Sequence, residues 1–315
     1  MESKRIAVLG DPMLDVWTDL RTVRANPDDP TVPVVVFEGT QTKPGGALNV
    51  AANLAALGNV VMYFDVCGRT SADVHRLTAL LARSGVGYRG LIHHTPPTPI
   101  TRKERVRLDG RLLYRKDEDH YPPSTEWAPS TFDPGDAVVL VDYGKGTLGH
   151  GYVLGVVSQV LEQVLVVLDA KPALHRAFLG WRECWRPNVI LKANCGEATA
   201  VIGGTDPSSW MDRVERRCRM AVITGGERGA SMCGQEGWIG TCLPSSLLSA
   251  YPTVCGAGDV FTAVLTHALL QGENDWQAVQ FAVNHATSLT CSGQTETLCL
   301  AREDAFFTDP DLVAG

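Results

Sequence analysis

The sequence alternates short apolar strand-like segments with helical ones along most of its length. The strand-like segments are 5–11, 60–68, 136–146, 164–171, the start of 188–204, and 220–234. The helical patterns are 45–58, 71–86, 152–163, the end of 188–204, and two long stretches from Gly256 to about 290. This alternation favours an α/β fold with a mostly parallel central sheet covered on both faces. Ligands of such sheets bind beyond the carboxyl ends of the strands, where we expect the functional site.

Two further β segments do not fit the alternation. In 98–117, polar and apolar residues alternate around Asp109-Gly110, a dipeptide typical of a tight hairpin turn. Residues 31–39 also indicate a strand, and Pro33 suggests that it lies at an edge. We find no internal repeat, low-complexity tract or linker. We therefore expect one domain over 1–315, with a small β lid built from about 17–40 and 98–117.

Composition narrows the classes of partner. The chain has 315 residues, 44% of them apolar, and a net charge of −7, which disfavours a nucleic-acid partner or an anionic membrane surface. Its nine cysteines are scattered without metal-binding spacing, as expected for free thiols in a reducing cytoplasm. We see neither a signal-peptide core at the N-terminus nor an apolar run of roughly 20 residues, so we expect a cytoplasmic protein.

The stretch "TVCGAGDVFTAVLTHAL", residues 253–269, contains the most suggestive chemistry. Gly256, Ala257 and Gly258 place almost no side chain before Asp259, and an apolar helical run follows. Backbone N–H groups at a helix N-terminus can bind a phosphate, and small residues let it approach. Asp259 could then accept a proton from an attacking hydroxyl. A turn with Asp259 as a helix cap is an equally good interpretation of this motif alone.

The order of several motifs supports the first interpretation. "GDPMLD", "PGGALNVAANLAALG", "DYGKG", "NCGE", "TGGERG" and "GAGD" resemble the ribokinase-like (PfkB) sugar kinases over nearly the whole chain. Within them, "GDPMLDVW", "TPITRKERV", "YRKDEDH" and "VVLVDYGKG" look like the kinase domain of the D-glycero-D-manno-heptose 7-phosphate kinases. Some of these are fused to an adenylyltransferase. This chain lacks a nucleotidyltransferase histidine motif, so we expect the stand-alone form.

The resemblance implies a three-layer α/β/α sandwich and a role for each matching residue. Asp259 would be the catalytic base, with the amides of Gly256, Ala257 and Gly258 as an anion hole. The implied sugar contacts are Asp15, Gly45, Gly46 and Asn49, and we add Asp142 at the end of a strand. The implied nucleotide contacts are Asn194, Thr224, Gly226 and Gly229. Lys192 either touches a nucleotide phosphate or faces solvent. ATP and Mg²⁺ are the implied cofactors, with Glu197 and Asn194 holding the metal through water.

The hairpin at 98–117 is unusually basic for an acidic chain. It carries Arg102, Lys103, Arg105, Arg107, Arg111, Arg115 and Lys116. We call this hairpin the basic ribbon. Its cations could bind the distal phosphate of a sugar phosphate, and the resemblance favours Lys103 and Arg105. A solvated ribbon with alternating charged faces is the competing interpretation.

The chain departs from the family pattern at three places. Thr253 and Cys255 replace an Asp and a Thr before the Gly-Ala-Gly-Asp motif, so we expect weak or absent potassium activation. Lys192-Ala193 replaces a common Thr-Pro. The Trp- and Arg-rich segment 175–188 has no assigned role.

The leading functional hypothesis is an ATP-dependent kinase that phosphorylates the anomeric C1 hydroxyl of D-glycero-D-manno-heptose 7-phosphate to the 1,7-bisphosphate. The alternatives are a PfkB kinase for ribose, fructose or a hexose phosphate, and a catalytically weak homologue that senses a sugar or nucleotide. Exposed edges of the β lid could pair with a second copy, so we expect a homodimer.

Overall fold

The computed structural model describes residues 3–65, 69–90, 97–121, 133–244, 254–292, 297, 299 and 300. Its strands are β1 (Arg5–Gly10), β2 (Pro12–Ala25), β3 (Pro33–Gly46), β4 (Val60–Asp65), β5 (Val86–Gly90), β6 (Thr101–Leu108), β7 (Arg111–Glu118), β8 (Ala137–Val141), β9 (Leu165–Asp169), β10 (Val189–Asn194), β11 (Met220–Thr224), β12 (Ala230–Gly234) and β13 (Ile239–Cys242). Its α-helices are α1 (Ala47–Ala56), α2 (Ser71–Arg83), α3 (His150–Gln159), α4 (Pro172–Gly180), α5 (Cys195–Ile202), α6 (Pro207–Arg213), α7 (Ala257–Leu270) and α8 (Asp275–Thr290).

The central sheet has nine strands in the order β13-β12-β11-β10-β9-β8-β1-β4-β5. Its strands pair in parallel from β11 to β5, and β12 and β13 add an antiparallel edge. Successive side chains of a strand point to opposite faces. Ile6 and Val8 of β1 accordingly join a core with α1, α2, α7 and α8, whereas Ala7 and Leu9 join a second core with α3 to α6. The predicted three-layer sandwich with a mostly parallel sheet is confirmed.

The second sheet has four strands in the order β3-β2-β6-β7. The turn between β6 and β7 is Asp109-Gly110, with φ of 49° and 78°, as a type I′ hairpin turn requires. Pro33 begins β3, which is an edge strand. The strands β2 and β3 reach further toward the core than the interval 17–40, since they include residues 12–16 and 41–46. We call this sheet the lid; that it belongs to one domain spanning 1–315 stays a prediction.

Two segments differ from the expectations in detail. No loop separates β10 from α5, because Asn194 ends the strand and caps the helix at once. The Trp- and Arg-rich segment is largely structural: His175 is buried with its ring edge-on to Trp210, and the Trp185 indole donates to the carbonyl of Phe178. Among the described residues, no helix is long and apolar enough to cross a membrane.

Candidate active site

Asp259 lies in the first turn of α7 and is 4% exposed. Its two carboxylate oxygens have different partners: Asn49 Nδ2 donates to Oδ2 at 2.8 Å, and the Tyr143 hydroxyl donates to Oδ1 at 2.5 Å. Burial raises the pKa of Asp259 to about 6, although both hydrogen bonds oppose that shift. Each oxygen keeps a second lone pair, so the carboxylate can still accept a proton from a third group.

The N-terminus of α7 forms an anion-binding surface beside this carboxylate. Gly256 caps the helix with φ of 87°, a conformation that favours glycine. A Cβ built on Gly258 would lie 3.5 Å from Lys192 Nζ, so a cation lies next to the first helical amides. Lys192 is 5% exposed, so it does not face solvent. The predicted Ala257 amide is already engaged, because its N–H donates to the Val254 carbonyl at 3.2 Å. The Gly258 amide and the Lys192 ammonium thus lie together where a phosphate would meet Asp259.

Lys192 is held by Asp169, the last residue of β9. Its Nζ donates to Asp169 Oδ2 at 2.8 Å, and the hydroxyl of Thr262 donates to the same oxygen at 2.6 Å. Burial would lower the pKa of Lys192, but Asp169 outweighs it and the pKa is raised. Lys192 therefore stays charged at neutral pH.

The predicted sugar contacts come from β2, β3 and α1, and one of them touches Asp259. A Cβ on Gly45 would lie 2.8 Å from Asp15 Oδ2, and Gly46 has φ of 57°, so both positions suit glycine. Asp15 is buried and accepts from Arg105 Nη1 at 2.8 Å and from Thr297 Oγ1 at 2.9 Å. Asn49 is fully buried and contacts Asp259 directly. The structure therefore brings the predicted residues of α1, β2 and β3 to one place, while their roles stay predictions.

A loop after β8 is held by two carboxylates. Asp11 accepts from the backbone N–H groups of Tyr143, Lys145 and Thr147 at 2.7, 3.0 and 3.0 Å. Asp142 accepts from the backbone of Gly144 at 2.7 Å and of Lys171 at 3.2 Å. Burial and the charge of Asp11 raise the pKa of Asp142 to about 7. These contacts give Asp142 a loop-organising role, and sugar binding by it stays a prediction.

A cavity of about 390 Å³ opens beside the N-terminus of α7. It brings together the predicted nucleotide residues Thr224, Gly226 and Gly229 with Ala257 and Gly258. Its remaining lining residues are Glu227, Val254, Phe261, Val283, Ala286, Thr287 and Thr290. A mostly apolar cavity with one end at helix amides suits a planar base joined to phosphates.

The predicted metal residues form a capping box at the start of α5. Asn194 Oδ1 accepts from the Glu197 backbone N–H, and Glu197 Oε2 accepts from the Asn194 backbone N–H, both at 2.9 Å. Glu197 Oε1 accepts from Lys171 Nζ at 2.6 Å. Within the described ranges, no group of three or more His, Cys, Asp or Glu could hold a metal. One carboxylate beside a phosphate site still fits Mg²⁺, which keeps several waters and binds mainly through substrate phosphates.

The cations of the basic ribbon are mostly paired with carboxylates. Arg105 contacts Asp15, Arg107 makes two hydrogen bonds to Asp19, Arg115 makes two to Asp117, and Lys116 pairs with Glu118. The local excess of charge seen in the sequence is therefore largely neutralised. Arg102, Lys103 and Arg111 differ, since the described residues provide none of them with an ion pair. Lys103 Nζ lies 5.2 Å from the centroid of the Tyr143 ring. Burial lowers the pKa of Lys103, the largest influence on it.

Sequence reasoning missed Asp11, Tyr143, Asp169 and Lys171. Asp169 ends β9 and Asp11 directly follows β1, while Tyr143 and Lys171 lie two residues after β8 and β9. Their position near the carboxyl ends of the central strands, where ligands of such sheets bind, was the sequence signal that could have identified them. Thr253 lies outside the described residues, and Cys255 Sγ accepts from Arg105 Nη2 at 3.2 Å.

Comparisons with known proteins identify a family match over part of the chain. Residues 160–301 match the model of the pfkB family carbohydrate kinases. The chain is 33% identical over 285 residues to the bifunctional protein HldE of Halorhodospira halophila, covering 85% of this chain and 56% of that protein. The chain thus spans less than two thirds of that relative.

Solved structures show the same fold at low identity. Phosphofructokinase-2 from Escherichia coli, in complex with substrates and products, superposes with a TM-score of 0.69 at 17% identity, covering 96% of this chain and 97% of that one. Ribokinase from Arabidopsis thaliana, complexed with ribose and ATP, gives 0.66 at 16% identity, covering 94% and 96%. The fold is that of the ribokinase-like proteins. More particularly, residues 160–301 belong to a pfkB family carbohydrate kinase domain.

Proposed function

We propose that the protein transfers a phosphoryl group from ATP to the anomeric C1 hydroxyl of D-glycero-D-manno-heptose 7-phosphate. The observation that carries the kinase chemistry is the buried carboxylate of Asp259, placed between the sugar-side residues and the cavity at the N-terminus of α7. The motif resemblance to heptose 7-phosphate kinases supports the choice of sugar, as does the similarity to HldE.

Different residues carry out different parts of the proposed reaction. Asn49 and Tyr143 hold Asp259, whose remaining lone pairs accept the proton of the attacking hydroxyl. The phosphoryl oxygens face the amide of Gly258 and the ammonium of Lys192, which stabilise the charge that develops during transfer. Glu197 and Asn194 would hold Mg²⁺ through water, and the ion would neutralise charge on the nucleotide phosphates.

A screen of ATP consumption over free and phosphorylated sugars tests this function. Heptose 7-phosphate should give the highest kcat/KM, and ³¹P NMR should show that the new phosphate of the product is on C1. Excess chelator should abolish turnover, because the metal is required to neutralise the phosphates. No consumption with any sugar by the folded protein would contradict the kinase assignment.

Neutralisation of the basic ribbon favours one alternative, a kinase of an unphosphorylated sugar. With Arg105 and Arg107 engaged by Asp15 and Asp19, fewer cations are available for a distal phosphate. The same screen separates the two: a higher kcat/KM for free ribose or fructose than for any sugar phosphate would select the alternative.

We further propose a homodimer through the lid. Both edge strands of the lid expose apolar side chains, among them Phe37 on β3 and Leu113 on β7. Pairing of such edges would cover both the strand backbone and these side chains. Phe37→Ser should shift the mass from dimer to monomer in light scattering, whereas Leu161→Ser, at an exposed position outside the lid, should not. A monomeric wild-type protein would contradict the proposal.

A further inference from the structure

We infer that Tyr143 is a positioning residue for phosphoryl transfer, which fixes the orientation of the Asp259 carboxylate and keeps it available as a base. This inference rests on the proposed function, since that function makes Asp259 the proton acceptor. The residue matches none of the motif roles assigned from the sequence, and its place after β8 is set by the loop that Asp11 holds.

Tyr143 is fixed at both of its ends. Its backbone N–H donates to Asp11 Oδ2 at 2.7 Å, and its hydroxyl donates to Asp259 Oδ1 at 2.5 Å. A side chain held in this way has little freedom to leave the carboxylate. Together with Asn49 on Oδ2, it prevents rotation of the carboxylate about its Cβ–Cγ bond. Asp259 therefore presents fixed lone pairs to a sugar hydroxyl, which is the geometric requirement for a general base.

Two lysine ammonium groups lie over the ring of Tyr143. Lys103 Nζ, from the lid strand β6, lies 5.2 Å from the ring centroid, and Lys171 Nζ, the partner of Glu197, lies 5.3 Å from it. Cations at this distance are attracted to the face of an aromatic ring. The same side chain thus links the catalytic carboxylate to one lysine on the sugar side and one on the metal side.

The hydroxyl also favours the ionised form of Asp259. A donor hydrogen bond to a carboxylate stabilises the charged state and lowers its pKa, against the effect of burial. Burial and the charge of Asp259 raise the pKa of Tyr143 well above its usual range, so the hydroxyl remains a donor at every working pH. The other titratable groups that face this pair are Asp15 on β2, Asp169 on β9, Lys192 on β10, Cys255 before α7, and Cys299.

The test is the pH profile of kcat/KM for Tyr143→Phe, measured with the sugar that the wild-type enzyme prefers. The wild-type profile should rise through a pKa of about 6. Loss of the hydrogen bond should move this acidic limb of the profile to higher pH by about one unit or more. The reason is that a hydrogen bond to a charged group changes an equilibrium constant by about tenfold or more. The kcat at neutral pH should fall, and part of it should return at alkaline pH.

Tyr63→Phe is the matched control. Its hydroxyl is also buried, and it donates to the carbonyl of Gly10 at 2.8 Å. This variant should keep the wild-type limb. Site-specific 3-fluorotyrosine at position 143 provides a nearly isosteric second variant; its more acidic phenol is a stronger donor and should move the limb to lower pH.

The outcomes separate the inference from the function on which it rests. A wild-type protein that phosphorylates no sugar would overturn the proposed function. An active wild-type enzyme whose limb stays in place in both Tyr143→Phe and the fluorotyrosine protein would overturn the role of Tyr143. A shift of equal size in Tyr63→Phe would also overturn it, since the effect would then come from loosening of the fold.

Discussion

The lid and the carboxyl ends of the central strands contain the same ionisable residue types, but the charges are balanced in the lid and incompletely balanced at the strand ends. In the lid, Arg107 and Arg115 each meet a carboxylate through two hydrogen bonds, and their charges cancel locally. At the sheet edge, burial raises the pKa of Asp259 to about 6 and that of Asp142 to about 7, so these carboxyls are poised to change protonation. Chemistry is expected where charge is buried and incompletely balanced, and a dense run of cations is by itself a weak guide to it.

The largest effect should come from Asp259→Asn. Asparagine keeps the size of the side chain but cannot accept the proton, so kcat should fall by about 10²–10⁴. Single-turnover phosphoryl transfer is the measurement, with circular dichroism and ATP binding as controls for folding. A loss under roughly tenfold would mean that Asp259 is not the general base and would erase the distinction between the two regions.

Acidification should reduce activity through the same group. Because burial raises the pKa of Asp259 to about 6, the base is ionised above that pH and protonated below it. The value of kcat/KM should therefore be level near pH 7 to 8 and fall about tenfold per unit below pH 6. Asp259→Asn should lose this limb; a wild-type profile that is flat between pH 5 and 8 would be inconsistent with the assignment.

Alanine variants of Lys103 and Arg105 should distinguish a loss of substrate binding from a loss of stability. Lys103→Ala should raise KM for a sugar phosphate about tenfold or more while leaving KM for ATP unchanged, since one charged hydrogen bond is lost. Arg105→Ala should in addition destabilise the fold by about 3–5 kcal/mol in urea unfolding, because it leaves the buried Asp15 without its ion-pair partner. An unchanged KM in both variants would exclude the basic ribbon from substrate binding.

The smallest effect should come from Arg115→Ala. The pair of Arg115 and Asp117 is partly exposed, with side chains 45% and 35% accessible, so its loss should change the free energy of unfolding by less than about 1 kcal/mol. Urea unfolding beside Arg105→Ala provides the measurement. A loss of several kcal/mol would mean that the exposed pairs hold the lid together.

The fold was readable from the sequence where periodicity and turn chemistry agreed. The hairpin at Asp109-Gly110 and the apolar strands of the central sheet follow from local patterns that tertiary structure does not override. The helix α4 was not predicted, because its burial depends on packing against α5 and the segment that follows it. The predicted lid boundaries left out the first residues of β2, because this buried part of the strand has no polar alternation.

The candidate site was predictable only where a motif named the residue. Asp259, Asn49, Thr224 and Gly258 could be located by motif, and the structure places them around one cleft. Tyr143 and Asp169 could not, because their importance arises from side-chain contacts between distant elements. The pairing of Arg105 with Asp15 joins residues 90 positions apart, so the neutralisation of the ribbon was equally hidden.

The carboxylate of Asp11 has a consequence for how the site can be altered. It holds the loop after β8 entirely through backbone N–H groups, which every residue except proline supplies. Gly144 and Gly146 have φ of 71° and 90°, a conformation that favours glycine, whereas at position 145 only the backbone N–H holds the loop to Asp11. Directed evolution can exchange the residue at position 145, beside the cleft, without rebuilding the loop, which makes this segment a natural place to redesign sugar preference.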